Sequence, residues 1–190
     1  LRHILRSPDT IVTTVVMPLA MLLLFVYVFG GAIDLGGASR GSYVDYLLPG
    51  ILLITVASGV AYTAFRLFTD MSRGIVDRFR SMPISRSSVL WAHVLTSMVS
   101  ILVSLAVVLG VAFLMGFRTN AGPLAWLAAV GMLVLFTLAL TWIAVIPGLT
   151  AKSVDGASAF SYPLLFLPFL SSAFVPTATM PGPVRWFAEN

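Results

Sequence analysis

Cysteine is absent from this sequence, histidine occurs only twice, and charged side chains make up 9% of the 190 residues. The first absence excludes disulfides, thiolate metal sites and cysteine nucleophiles. The scarcity of charge excludes an ordinary soluble domain, in which about 25% of residues are charged. With 59% hydrophobic residues and a mean hydropathy of +1.02, the composition is that of a membrane protein. Eleven Lys and Arg outweigh seven Asp and Glu. These cations are dispersed between apolar runs, so nucleic acid is not an expected partner.

Catalysis needs convergent titratable groups, and few are available. His93 sits one turn into an apolar run beside Trp91, where a headgroup-level or helix-packing role suits it. Neither HExxH nor GxSxG occurs. Lys152-Ser153 resembles the end of a phosphate-binding loop, but Ala151 and Ile146 stand where that motif requires glycine. Asp9, Asp34, Asp45, Asp70, Asp77 and Asp155 all fall at span ends or in loops. Ion-coupled carriers and channels usually keep charges at membrane depth. The chain is therefore expected to be no enzyme and to hold no cofactor or metal, its energy coming from another subunit.

What the sequence does have is long apolar runs. They predict an all-α integral membrane protein, a polytopic helical bundle with five spans in residues 1–190. Residues 1–9 read as an N-terminal interfacial segment. Span one covers about Thr10–Gly30 and carries Pro18. A glycine-rich turn over Gly30–Gly41 follows, with Tyr43, Asp45 and Tyr46 at the headgroup level. Span two is expected to open near Pro49-Gly50, since proline suits a first helical turn, and to run to about Phe68, with Arg66 snorkelling near its end. Span three covers about Val89–Met115, and span four about Leu124–Leu149, its end loosened by Pro147-Gly148. After a small loop, span five covers about Ala157–Val175, where Pro163 and Pro168 predict a kinked or broken helix. The last residues, VPTATMPGPVRWFAEN, read as a re-entrant or interfacial segment. The first residue, Leu1, and the end at Asn190 suggest a piece of a longer chain with a sixth span.

One stretch is charge-dense. Met71–Arg86, MSRGIVDRFRSMPISR, holds four of the eleven basic residues in sixteen positions. As a helix it would place Met71, Ile75, Phe79 and Met82 on one face and Asp70, Arg73, Asp77 and Arg80 on the other. Arg78 falls on the apolar side, and Pro83 stops the helix. Charge pattern alone leaves two readings. The loop over residues 69–88 either fixes orientation and touches anionic headgroups or is gripped by a partner outside the membrane. Eight of the eleven Lys and Arg lie on the same side as this loop, against Arg40, Arg118 and Arg185 on the other. The positive-inside bias thus predicts a cytoplasmic loop and N-terminus in a multi-pass protein of the cell membrane.

Four strings carry a resemblance to a known family. GIVDRFRSMPISRSSVL (Gly74–Leu90) resembles the cytoplasmic loop of ABC-2 type permeases, the membrane subunits of ATP-driven exporters. YVDYLLPGIL (Tyr43–Leu52), LTWIAVIPGLTAKSVDGA (Leu140–Ala157) and FLSSAFVPTATMPGPVRWFAEN (Phe169–Asn190) agree in order and spacing. The likeness covers nearly the whole chain and is nearest to the daunorubicin/doxorubicin-resistance permeases of actinobacteria. It implies a bacterial permease domain over residues 1–190, with a sixth span after Asn190 and a second permease copy, either identical or a sister chain. It also implies a cytoplasmic ABC ATPase that holds ATP and Mg and grips the loop as a coupling helix. Carried over, Gly74, Ile75, Asp77, Arg78, Phe79, Arg80, Met82 and Pro83 would form the ATPase-facing set. Phe174, Pro176, Met180 and Pro181 would shape an extracellular gate, or merely seat the segment at the interface. The implied cargo is a hydrophobic or amphipathic drug, natural product or lipid-like compound. Two other readings stay open: a membrane assembly or anchoring subunit without transport, and an ion-coupled secondary carrier.

Overall fold

The structure, a computed structural model, describes residues 12–29, 40–73 and 86–170. Among these, every regular element is helical, as the apolar runs require. The segments 1–9, 74–85 and 171–190 of the sequence reading lie outside the described residues.

The first span changes register along its length. A π-helical turn over Val12–Val16 leads into α1 (Met17–Leu24), and a second π-helical stretch covers Phe25–Phe29. Pro18 stands at the start of α1. It lacks an amide hydrogen and its ring crowds the turn before it, and a widened turn there relieves the crowding.

The second span, α2 (Arg40–Ser72), departs from expectation. It begins at Arg40 rather than near Pro49, and Pro49 lies inside it. The proline is on an exposed side, and its missing amide costs the helix the bond to the Asp45 carbonyl. Tyr43 stands at the end of the apolar stretch Tyr43–Ser72. It is buried, and Tyr46 packs against the same apolar cluster.

Helix α3 (Arg86–Leu114) ends in a Schellman turn. Gly116 takes φ +102°, the left-handed conformation that glycine adopts without strain. Its N–H donates to the Phe113 carbonyl and that of Phe117 to the Ala112 carbonyl, at 3.2 and 3.0 Å. After a short turn, α4 (Pro123–Thr150) starts with proline at its first position, where a missing N–H costs nothing. Its far end is not loosened by Pro147-Gly148. The helix runs on to Thr150, and the Ala151 N–H donates to the Pro147 carbonyl at 3.0 Å.

The fifth span is broken, as two prolines predict. Helix α5 (Val154–Ala159), whose first turn is capped by Ser153 Oγ accepting from the Gly156 N–H at 3.1 Å, is followed by α6 (Ser161–Leu170). The break at Phe160 falls beside Ala159, whose carbonyl a continuous helix would pair with the amide that Pro163 lacks. Tyr43–Ser72, Leu90–Leu114 and Pro123–Thr150 are each long and apolar enough to cross a membrane, while Thr14–Val28 is a shorter apolar helix.

The described residues fall into two compact units. One takes those up to Thr55, Ser104–Asn120 and those from Pro163. Its core joins Leu22 and Val26 to Val44, Leu47, Leu48 and Ile51 of α2 and to Val108 and Ala112 of α3. The i, i+3, i+4, i+7 spacing on α2 is what a single helical face provides. The Arg118 N–H donates to Asp45 Oδ1 at 3.3 Å, tying the turn after α3 to α2.

The other unit takes Val56–Val103 and Ala121–Tyr162. Here two glycines let helices approach: Gly59 of α2 against Ile101 of α3, and Gly148 of α4 against Leu67 of α2. Lipid supplies no hydrophobic force between helices, so such close packing is what holds spans together. Some buried hydroxyls are satisfied locally, although those of Ser58, Thr137 and Ser161 find no partner. Thr55, Thr63 and Thr141 donate to the carbonyls four residues earlier, at 2.7, 2.9 and 2.6 Å, which removes the cost of a bare hydroxyl among apolar neighbours.

Candidate functional site

None of the residues that the sequence nominates is among those described. Gly74, Ile75, Asp77, Arg78, Phe79, Arg80, Met82 and Pro83 lie outside the described residues, as do Phe174, Pro176, Met180 and Pro181. What the structure supplies is the base from which the charged segment springs. Helix α2 continues to Ser72, where the Arg73 N–H still donates to the Thr69 carbonyl at 3.1 Å, and α3 begins at Arg86. The segment between the two helices is thereby narrowed to 73–85.

This extension of α2 alters the reading of Asp70 and Met71. Both belong to the last turn of a span, not to the start of a separate surface helix. Met71 packs beside a small core made by Leu67, Val94 and Val145, together with Leu90, Leu138 and Trp142. Three helices therefore meet here: the end of α2, the second and third turns of α3 and the second half of α4. Trp91 and Trp142 meet edge to face, ring centroids 5.0 Å apart, an arrangement favoured by the aromatic quadrupole.

A polar contact crosses this core. His93 Nε2 lies 3.4 Å from Asp70 Oδ2, with the two side chains 14% and 28% exposed. The contact is an ion pair when the imidazole is protonated and a dipole–charge contact when it is neutral. Arg66 stands one turn before Asp70 on α2, its guanidinium 6.0 Å from the centre of the Tyr62 ring. Half-buried Arg66 and the indoles suit the headgroup level, where long cations snorkel and tryptophans concentrate. Among the described residues no three acidic or histidine side chains cluster as a metal site would require. The arrangement can hold two helix ends in register and anchor them at the membrane surface.

The sequence reading missed the pairing of Asp70 with His93. It placed Asp70 on the polar face of the loop helix and gave His93 a general packing or headgroup role. Each residue stands near the loop-facing end of an adjacent span, and a short hairpin connection brings such ends side by side. That placement was the available signal; it went unused because span two was ended at Phe68.

The family model for the ABC-2 type transporter matches residues 1–190. Among curated relatives, "Daunorubicin resistance ABC transporter permease protein DrrB1" of Streptomyces coeruleorubidus is 35% identical over 179 residues, covering 92% of this chain and 61% of the relative. "Probable doxorubicin resistance ABC transporter permease protein DrrC" of Mycobacterium tuberculosis, in strains CDC 1551 / Oshkosh and ATCC 25618 / H37Rv, is 23% identical over 185 residues, 97% of this chain and 66% of the relative. The chain thus spans less than two thirds of the length of these relatives. No solved structure matches it. An all-helical set of apolar spans, broken by one charged segment and matched by the family model from end to end, belongs to the ABC-2 type transporter family.

Proposed function

We propose that the protein is the membrane-spanning permease subunit of an ATP-driven exporter, moving a hydrophobic or amphipathic compound out of a bacterial cell. The observation that carries this reading is the family match over residues 1–190. The relatives, named as resistance permeases for daunorubicin and doxorubicin, support a drug-like or lipid-like cargo. With no phosphate-binding loop in the sequence, ATP and Mg are assigned to a separate cytoplasmic ABC ATPase. A second permease copy completes the transporter.

In this reading the 73–85 segment is cytoplasmic, as is the N-terminus, an orientation supported by the excess of arginine on that side. Ile75, Phe79 and Met82 fill an apolar groove of the ATPase, with Arg78 and Arg80 facing acidic residues at its rim. Gly74, Asp77 and Pro83 shape the segment, and Pro83 sets its angle to α3. Phe174, Pro176, Met180 and Pro181 shape the outer gate.

The test is a mild-detergent pull-down of the full-length permease from its own host, wild type beside Arg78→Ala/Phe79→Ala. A phosphate-loop ATPase should accompany the wild type and be lost from the variant. Capture by both would move the contact elsewhere. Capture by neither, with gradient-driven uptake in vesicles lacking any ATPase, would replace the exporter by a secondary carrier.

A further inference from the structure

Between Asp70 and His93 the chain leaves the membrane-spanning helices, passes through the whole charged segment and returns. Any force applied to residues 74–83 from outside therefore enters α2 and α3 at the ends that this contact joins. The apolar part of the joint, Leu67 with Val94 and Val145, keeps the helices close. It is non-directional, and among lipid tails it does little to fix how one helix is rotated or shifted along the other. A polar pair is directional, and it is expensive to separate where water is scarce, since each partner is then left unsatisfied.

The positions on the helices matter. Asp70 is in the last turn of α2, whereas Arg86 opens α3 seven residues before His93, about 10 Å of helical rise. Helix α3 thus reaches past the joint toward the charged segment as a short arm, with Leu90 and the Trp91–Trp142 contact steadying its base. Arg66 lies on the same helix as Asp70, while the core residues that α4 brings, Leu138, Trp142 and Val145, carry no charge. Within the described core, His93 is the group that can hold Asp70 from a neighbouring helix.

We infer that Asp70 and His93 are positioning residues for energy coupling: their contact fixes the register of α2 against α3, so that a push on the 73–85 segment moves both spans as one body. The role in coupling rests on the permease function proposed above; the joint itself rests on the geometry. Its loss leaves the ATPase bound and hydrolysing while the spans no longer follow.

The experiment uses the full-length permease with its ATPase in proteoliposomes and follows ATP hydrolysis and the uptake of daunorubicin, used as a probe, in parallel. Hydrogen exchange over residues 68–72 and 88–94 is measured on the same samples. His93→Ala should keep hydrolysis within about twofold of wild type while transport per ATP falls about tenfold or more, and exchange should rise at both helix ends. His93→Gln, which retains a donor for Asp70, should recover most of the transport, as should the exchange of partners in Asp70→His/His93→Asp. The inference is overturned if His93→Ala leaves exchange at the two ends unchanged, or if hydrolysis and transport fall together with no rescue by His93→Gln. Absence of ATP-driven uptake by the wild type would instead refute the permease function, and the exchange measurement would still decide the joint.

Discussion

Gly59 of α2 lies so close to Ile101 of α3 that a Cβ built on it would stand 2.3 Å from Ile101 Cγ1 and 2.9 Å from Cδ1. No carbon tolerates the first distance, and Cγ1 is too near the backbone to swing clear. The contact is therefore a point at which side-chain volume sets the spacing of two spans.

Gly59→Ala should destabilise the protein by about 1–3 kcal/mol, the usual cost of overpacking a well-filled interior. Gly148→Ala meets Leu67 at 3.0–3.2 Å, a gap that small shifts accommodate, and should cost less. Gly131→Ala meets nothing within 4 Å and should leave stability unchanged or slightly raised. Thermal unfolding midpoints in one detergent would rank the three, and Ile101→Ala, which removes Cγ1, should partly rescue Gly59→Ala. Equal midpoints for Gly59→Ala and Gly131→Ala would refute the close approach.

At the other end of α3, the positive φ of Gly116 makes a separate prediction. Gly116→Ala forces a Cβ into the left-handed region, at a cost of about 1 kcal/mol, although nothing lies within 4 Å of the position. Gly116→Asn should cost less, because asparagine enters that region more readily. The midpoint order wild type, Asn, Ala is the result to look for. An unperturbed Ala variant would mean that the turn is not held in a Schellman geometry.

Pro49 distinguishes the helix start in the structure from the one the sequence suggests. Were it the first residue of span two, replacing it would change little, since its amide would be unpaired in any case. Inside α2 it removes a hydrogen bond to the Asp45 carbonyl, and Pro49→Ala should stabilise the protein, by up to about 3 kcal/mol on helix-interior scales. A lower midpoint in the alanine variant would favour the later start, or show that the proline shapes a functional bend.

Much of the fold was legible because lipid imposes a simple rule: apolar runs of sufficient length become helices. Spans three and four were bounded within a few residues by Arg86, Leu114, Pro123 and Thr150. The break in span five was legible as well, because Pro163 acts through covalent geometry, whereas Pro168 does not interrupt its helix. The start of α2 was not. Pro49 carries a genuine start signal, and whether it opens a helix or interrupts one depends on Tyr43, Val44 and Leu47 finding partners on α1 and α3, which no local pattern reveals. The Asp70–His93 contact was hidden for a similar reason, since it depends on where two spans stop relative to each other. Family resemblance supplied the residues of the charged segment, but their partner contacts are a property of the assembly.

The break at Phe160 gives the last prediction. A proline denies its amide to the carbonyl four residues earlier and pushes against it, so Pro163 alone is enough to separate α5 from α6 at Ala159. Pro168 falls well inside α6, and the helix runs through it, so it is not the cause of the break. Pro163→Ala should restore the missing bond and join the two into one helix over 154–170. Amide exchange at Phe160 and Ser161 would then slow by about tenfold or more, as frayed ends become helix interior, while Pro168→Ala should leave those two amides as they are. Unchanged exchange in Pro163→Ala would place the cause of the break outside this proline, in the packing of Ala157 and Ser161, both of which are buried.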